Sequence, residues 1–266
     1  MSNELAVKPR DLVTTEIAFQ ANLYADPNPS RRWLHATRRA WVTTALEGEM
    51  AKGAKLVLEV GVGAGLYTRF LSDRECSVLA LDINQGFIEA VAALPGVTAR
   101  CQDVCDLRDT GFDLALCSEV LEHLPPDRSE LALQRMHDAL RPGGALVLTT
   151  PQSYSTAELF ARLLDLPLVL AFAKRLYGAA DALGHTNRLT HGQLSRQLTR
   201  VGFIVEVKAL RALYVPVLAE FFGASGQRIA SWLERRIRNV PVLSGLIWTQ
   251  CYVLRRADQP VEGTSP

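Results

Sequence analysis

The sequence predicts an α/β domain, doubly wound around a mostly parallel seven-stranded sheet and carrying helical cap inserts. Three observations lead to this. Between residues 56 and 150, short apolar runs rich in Val, Leu and Ala alternate with amphipathic stretches, the rhythm of strands buried on both faces and joined by helices. The first run, Leu56-Val57-Leu58-Glu59-Val60, ends in Gly61-Val62-Gly63-Ala64-Gly65, a strand that turns on glycines into a helix. Two apolar stretches, at about 152–190 and 209–245, break the rhythm and read as inserts.

Composition sets the bounds. The 266 residues suit one such domain with a cap. A hydrophobic share of 48% and a charged share of 21% are those of a globular protein with ample material for a core. The net charge of +1 leaves no basic field, so no nucleic-acid partner is expected. Cys76, Cys101, Cys105, Cys117 and Cys251 have no zinc-like spacing and read as reduced thiols. The start is polar and mixed, and no apolar run approaches the ~18–20 residues that span a bilayer. The expected location is therefore cytoplasmic, as a monomer or homodimer.

Taken in order, residues 1–50 form a helical arm or lid. Its pattern is broken at Asp26-Pro27-Asn28-Pro29, and Ser30 is the expected N-cap of a helix with Trp33, Leu34, Thr37, Trp41 and Leu46 on one side and Arg31, Arg32, Arg38 and Arg39 on the other. The main domain runs from 51 to 256. Strands are expected at 56–60, 77–82, 97–101, 112–118 and 145–150, with helices at 66–73, 84–93 and 127–140. Arg141-Pro142-Gly143-Gly144 stops the last of these. Residues 156–183 read as helical. Thr190 caps a helix over 192–200, and Gly202–Val207 is strand six. Residues 210–244 are helical with breaks at Pro216, Gly223 and Pro241. Leu246–Leu254 is strand seven, and 257–266 reads as a disordered tail.

The glycine spacing narrows the ligand. A dinucleotide fingerprint, G-x-G-x-x-G, counted from Gly61 needs glycine at 66, which is leucine. The pattern is instead Glu59, Gly61, Gly63, Gly65, with a second carboxylate, Asp82, closing the next apolar run, where it can accept both ribose hydroxyls of an adenosine. On these residues the chain resembles the class I S-adenosylmethionine-dependent methyltransferases. Further matches are Asp103-Val104 after strand three, Ser118-Glu119-Val120-Leu121-Glu122-His123 after strand four, Arg141-Pro142-Gly143-Gly144, and Leu189-Thr190 through Gly202-Phe203. The resemblance spans about Leu56 to Val207. It implies a Rossmann-like sheet and S-adenosyl-L-methionine as cofactor, leaving S-adenosyl-L-homocysteine as product.

It also implies roles. Glu59, Gly61, Gly63, Gly65, Asp82, Ile83, Asp103, Val104 and Ser118 would hold the cofactor. Tyr24 with Arg31 or Arg32, of which Arg32 is chosen, would reach its methionine carboxylate from the N-terminal arm. Asp103 also reads simply as the cap of a short helix. The residues after strand four face the transferring methyl group, and the Asn/Asp-Pro-Pro-aromatic tetrad of amino-directed nucleic-acid enzymes is absent there. His123 is the expected base, with Glu119 and His185 beside the acceptor. Similar ubiquinone-pathway O-methyltransferases carry an E-x-x-E-H segment here, which admits a divalent-metal reading of Glu119, Glu122 and His123. Many methyltransferases with that segment need no metal, and none is assigned. The acceptor should be a small, apolar molecule, methylated at oxygen. The inserts, apolar with a flank of Arg228, Arg235, Arg236 and Arg238, leave three readings open: a roof or dimer contact, a pocket for an apolar metabolite, or a surface that dips into a membrane to collect a lipid-like or isoprenoid substrate. A non-catalytic cofactor-binding protein is the rival from another class.

Overall fold

The computed structural model describes residues 24–159 and 189–257, together with Ala18, Asn22 and Asn187. His185, the arm before Tyr24 and most of the first insert lie outside the described residues, as does the tail after Ala257. The elements in chain order are α1 (Pro29–Ala51), β1 (Leu56–Val60), α2 (Leu66–Ser72), β2 (Ser77–Asp82), α3 (Gln85–Val91), β3 (Val97–Cys101), β4 (Phe112–Ser118), α4 (Pro126–Ala139), β5 (Leu140–Pro151), α5 (His191–Val201), β6 (Phe203–Arg211), α6 (Pro216–Phe221), α7 (Gly223–Ile237) and β7 (Thr249–Arg256). Short 3₁₀ turns follow β3, β4 and α7 at Val104–Asp106, Leu121–His123 and Leu243–Leu246.

The strands form one sheet in the order β3-β2-β1-β4-β5-β7-β6. All neighbours from β3 to β5 are parallel, and β7 runs antiparallel to both β5 and β6. The order differs from the 3-2-1-4-5-6 of dinucleotide-binding sheets by this reversed strand, inserted between β5 and β6.

Strand alternation builds both layers. Leu58, Val60, Leu79, Leu81, Ala115, Leu146 and Leu148 bury on one face against α4 and α5. Val57, Val78, Ala80, Leu114, Leu116 and Val147 bury on the other against α1, α2 and α3. Neighbours in sequence feed opposite cores, so nearly every strand residue is apolar. Helix α1 is built into the second core through Val42 and Leu46.

Several boundaries move. β6 runs on to Arg211, past the expected end at Val207, and β7 begins at Thr249 because Leu243–Leu246 is a 3₁₀ turn. Asn28, not Ser30, caps α1: its side chain accepts from the backbone N–H of Ser30 and Arg31, with Pro29 at the first helical position. Ser30 is inside the helix and buried. β5 begins at Leu140, so Arg141-Pro142-Gly143-Gly144 belongs to the strand, beside an irregular register opposite Phe112 and Leu114. The expectation at Thr190 holds as a capping box with Gln193.

Candidate active site

The C-terminal ends of β1, β2, β4 and β5 lie along one edge of the sheet, where the start of β7 pairs with the end of β5 and Arg38 reaches in from the middle of α1. The glycine loop is held by its backbone. Gly61, Gly63 and Gly65 have φ of 82°, 52° and 73°, left-handed values that favour glycine. A Cβ on Gly61 would lie 2.3 Å from Val120 Cγ2, so the post-β4 loop rests directly on the glycine loop. The Gly61 N–H donates to the Leu81 carbonyl at 2.8 Å. Asp82 then spans the turn, its two oxygens accepting from Gly63 N–H at 3.2 Å and Asn84 N–H at 2.8 Å. The next residue, Ile83, is 75% exposed although large and apolar.

Beneath the loop, Glu59 is buried and its carboxyl oxygens make no hydrogen bond of ordinary geometry among the described residues. Burial raises its pKa to about 8; the nearby Thr68 hydroxyl opposes the rise and Asp82 adds to it. Helix α2 has no side-chain cap, so its first N–H groups point toward the loop without a side-chain partner. A bare glycine turn, an uncapped helix start and a carboxylate over the turn fit an adenosine cofactor with an amino-acid tail.

After β4 the chain turns sharply. Glu119 has φ of 57°, a left-handed value rare for a residue with a side chain and costing roughly 1–2 kcal/mol. Its N–H donates to the Thr149 carbonyl at 3.0 Å, and Ser118 Oγ meets Thr149 Oγ1 at 2.9 Å. This backbone presents the Glu119 carboxylate to Arg38 of α1, whose Nη1 donates to Oε2 at 2.7 Å. Both side chains are largely buried, at 11% and 16% exposure. Arg38 stacks 5.2 Å from the Trp248 ring centroid and reaches His35 Nδ1 at 3.3 Å. Burial opposes the Arg38 charge, but Glu119, Tyr67 and Tyr24 together hold its pKa above the ordinary arginine value. His35 is pushed down to about 3, by burial first and Arg38 second, and so is neutral. Burial also raises the Tyr67 phenol well above its ordinary value. Glu119 Oε1 and Arg38 Nε remain buried with no hydrogen-bond partner among the described residues.

The expected site residues divide accordingly. Glu59, Gly61, Gly63, Gly65, Asp82, Ser118 and Glu119 lie at the C-terminal ends of β1, β2 and β4, which are neighbours in the sheet. Tyr24 joins them from the turn before α1, edge-on to His35 at 6.0 Å. Arg32 does not: it is exposed and bonds the Asp26 carbonyl. The arginine that enters the site is Arg38, two helical turns further on. Asp103 caps its 3₁₀ turn through Cys105 N–H and pairs with Arg128. Burial works against its charge, but those partners hold its pKa below the usual range. Val104, the next residue, is buried.

The E-x-x-E-H segment is pulled apart. Glu119 faces Arg38. Glu122 is buried, accepts from Thr150 Oγ1 at 3.0 Å, and has its pKa raised by burial and by Glu119. His123 ends the 3₁₀ turn and is exposed. Among the described residues no group of three His, Cys, Asp or Glu side chains could hold a metal ion. Arg38, Tyr67, Thr149 and Trp248 surround Ser118 and Glu119 without having been expected there. The one available signal was the seven-residue spacing of Arg31 and Arg38, which puts both on one face of α1.

A mostly parallel sheet with a glycine turn after β1 and a carboxylate at the tip of β2 defines an enzyme that binds an adenosine-bearing cofactor at its strand ends. Residues 58–148 match the family described as methyltransferase domain. The chain is 32% identical over 169 residues to the ubiquinone biosynthesis O-methyltransferase of Xanthomonas euvesicatoria pv. vesicatoria (strain 85-10), covering 56% of this chain and 68% of that protein. Among solved structures it resembles magnesium protoporphyrin IX methyltransferase from Synechocystis PCC 6803 with bound SAH (TM-score 0.60, 15% identity, 92% of this chain and 96% of that one). It also resembles the N-methyltransferase NodS from Bradyrhizobium japonicum WM9 in complex with S-adenosyl-L-homocysteine (TM-score 0.55, 18% identity, 93% and 97%). The chain belongs to the class I S-adenosylmethionine-dependent methyltransferases, and S-adenosylmethionine is its methyl donor.

Proposed function

We propose that the chain methylates a hydroxyl oxygen of a small, apolar acceptor. The observation that carries this reading is the buried Glu119–Arg38 pair at the end of β4, one carboxylate oxygen of which has no partner. S-adenosylmethionine supplies a methyl group on a positively charged sulfur, a good electrophile that needs an aligned nucleophile and a dry cleft. Glu119 Oε1 accepts the proton of the acceptor hydroxyl as the oxygen becomes nucleophilic, and the bond from Arg38 Nη1 to Oε2 holds the carboxylate in place. The O-methyltransferase relative supports oxygen as the methylated atom.

The residues that would hold the cofactor are Asp82 for the ribose hydroxyls, the exposed Ile83 with Asp103 and Val104 for the adenine, Gly61, Gly63 and Gly65 for the amino-acid tail, and Tyr24 for its carboxylate. The apolar character of the acceptor is supported by the cluster of Leu34, Ala212 and Trp248 with Trp33, Ala157 and Tyr214, which borders Arg38 through Trp248.

The test is a panel of phenols, catechols and matching amines incubated with S-adenosylmethionine, read by mass spectrometry and by S-adenosylhomocysteine release. Transfer to hydroxyls, lost by roughly 10²-fold or more in Glu119→Gln with S-adenosylhomocysteine binding retained, supports the reading. Transfer to the amines alone, or full activity in Glu119→Gln, refutes it.

A further inference from the structure

The second insert presents an amphipathic surface that the methyl-transfer chemistry does not use. α6 ends in two exposed phenylalanines, Phe221 at 68% and Phe222 at 55%. On α7, Ile229, Trp232 and Arg236 share one exposed face, with Arg228 and Arg235 beside it. After α7, Val240, Val242 and Leu243 are exposed again, Val242 at 86%. Large apolar side chains this exposed, on consecutive elements of one insert, are not the scattered surface residues of an ordinary monomer.

On α7 the exposed charges are Arg228, Arg235 and Arg236, and the one acid of that helix, Glu234, is buried. Residues 209–245 hold five arginines against two glutamates. Of the two, Glu234 is buried and turned inward, accepting from the Ala212 N–H at 3.1 Å and pairing with Arg238 at 3.4 Å. Arg236 stacks over the Trp232 ring at 5.4 Å. On the flank of α7, clefts of about 310 and 530 Å³ share Arg211 and Arg238, and Arg238 Nε has no hydrogen-bond partner among the described residues. Tryptophan and phenylalanine beside arginines, on a helix lying along the surface, make the chemistry of an interfacial anchor: rings enter the acyl boundary while guanidinium groups pair with phosphates. Among the described residues no helix is long and apolar enough to cross a membrane.

We propose that the α6–α7 insert docks the enzyme on an anionic lipid bilayer, with Phe222, Ile229 and Trp232 entering the interface and Arg228, Arg235 and Arg236 pairing with lipid phosphates. This goes beyond the acceptor assignment and does not depend on it, because none of these residues lies in the cofactor cleft.

The experiment is flotation of the full chain with vesicles of phosphatidylcholine alone or mixed with phosphatidylglycerol, at low and high salt. The expected result is flotation with the mixed vesicles only, released by salt. Arg235→Gln with Arg236→Gln should lower partitioning roughly 30-fold, from ~1 kcal/mol for each basic residue near an anionic surface. Trp232→Ser should lower it as well. Unchanged S-adenosylhomocysteine binding shows that each variant is folded. Independently of folding, bromine-labelled lipid should quench the unaltered chain more than Trp232→Phe. Absence of flotation, equal flotation with phosphatidylcholine alone, or variants that float like the unaltered chain would overturn the proposal. So would a dimer in lipid-free solution that Trp232→Ser dissolves, since the face would then be a self-interface.

Discussion

Gly61→Ala tests the coupling between the cofactor loop and the acceptor loop. Gly61 has φ of 82°, and a Cβ there would stand 2.3 Å from Val120 Cγ2, more than 1 Å inside the ~3.5–4.0 Å of ordinary carbon contact. Left-handed backbone costs an alanine about 1–2 kcal/mol, and overpacking adds about 1–3 kcal/mol. Val120 cannot simply swing away, because it is β-branched and packs against the main core. The total of about 2–5 kcal/mol corresponds to a fall in melting temperature of roughly 5–15 °C for a chain of this size. The structure assigns the overpacking part to Val120 alone. The double variant Gly61→Ala with Val120→Ala should therefore be more stable than the sum of the single changes by about 1–3 kcal/mol, while the backbone part persists. Urea denaturation of the four proteins measures this coupling, and calorimetry with S-adenosylhomocysteine measures the cost to the loop. Strict additivity would mean that the two loops do not touch as described, and the reasoning would fail.

Three further outcomes are expected. Asp82→Ala should weaken S-adenosylhomocysteine binding by roughly 10–100-fold, since charge-assisted hydrogen bonds contribute about 1.5–3 kcal/mol; unchanged affinity in calorimetric titration would remove Asp82 from the site. Arg38→Met should cost roughly 3 kcal/mol in urea denaturation because it strands a buried carboxylate, and Arg38→Met with Glu119→Gln should recover part of that loss; no recovery would mean that the pair is not coupled. Glu59, with a folded pKa of about 8 against 4.5 unfolded, binds a proton in the native state only over that window. Its contribution is fully present at low pH and lost as pH rises toward 8, by up to about 1.4 kcal/mol per unit. Melts from pH 5 to 8.5 should show Glu59→Gln falling less steeply than the unaltered chain, and parallel curves would contradict the burial of that carboxyl.

Much of this was legible in the order of residues. The alternating cores follow from apolar strands whose neighbouring residues face opposite sides, a period-two rule written locally. Gly61, Gly63 and Gly65 needed no fold to be noticed, because positive φ is a demand on one residue at a time. Asp82 could be placed at a strand tip by counting along an apolar run. The cap of α1 was misread by two residues because Asn28, Pro29 and Ser30 are all good helix-start residues, and only the hydrogen bonds of Asn28 choose among them.

Tertiary structure decided the rest. Four arginines of α1 looked alike, and Arg38 is singled out by a partner 81 residues away in sequence. Glu119 was expected beside the acceptor, and Glu122 entered only with the metal reading. A left-handed turn hands one to Arg38, while the 3₁₀ turn buries the other against Thr150. The exposed face of α7 could be drawn as amphipathic from its spacing, but which side packs inward was settled by Glu234 and its bond to Ala212. The sheet's rhythm, the glycine turn and the carboxylate beside it are written locally in the chain, because propensity and periodicity act within a few residues. Which charges meet, which are buried and which face stays open were decided only by packing between distant segments, where the physical forces depend on distance in space and not along the chain.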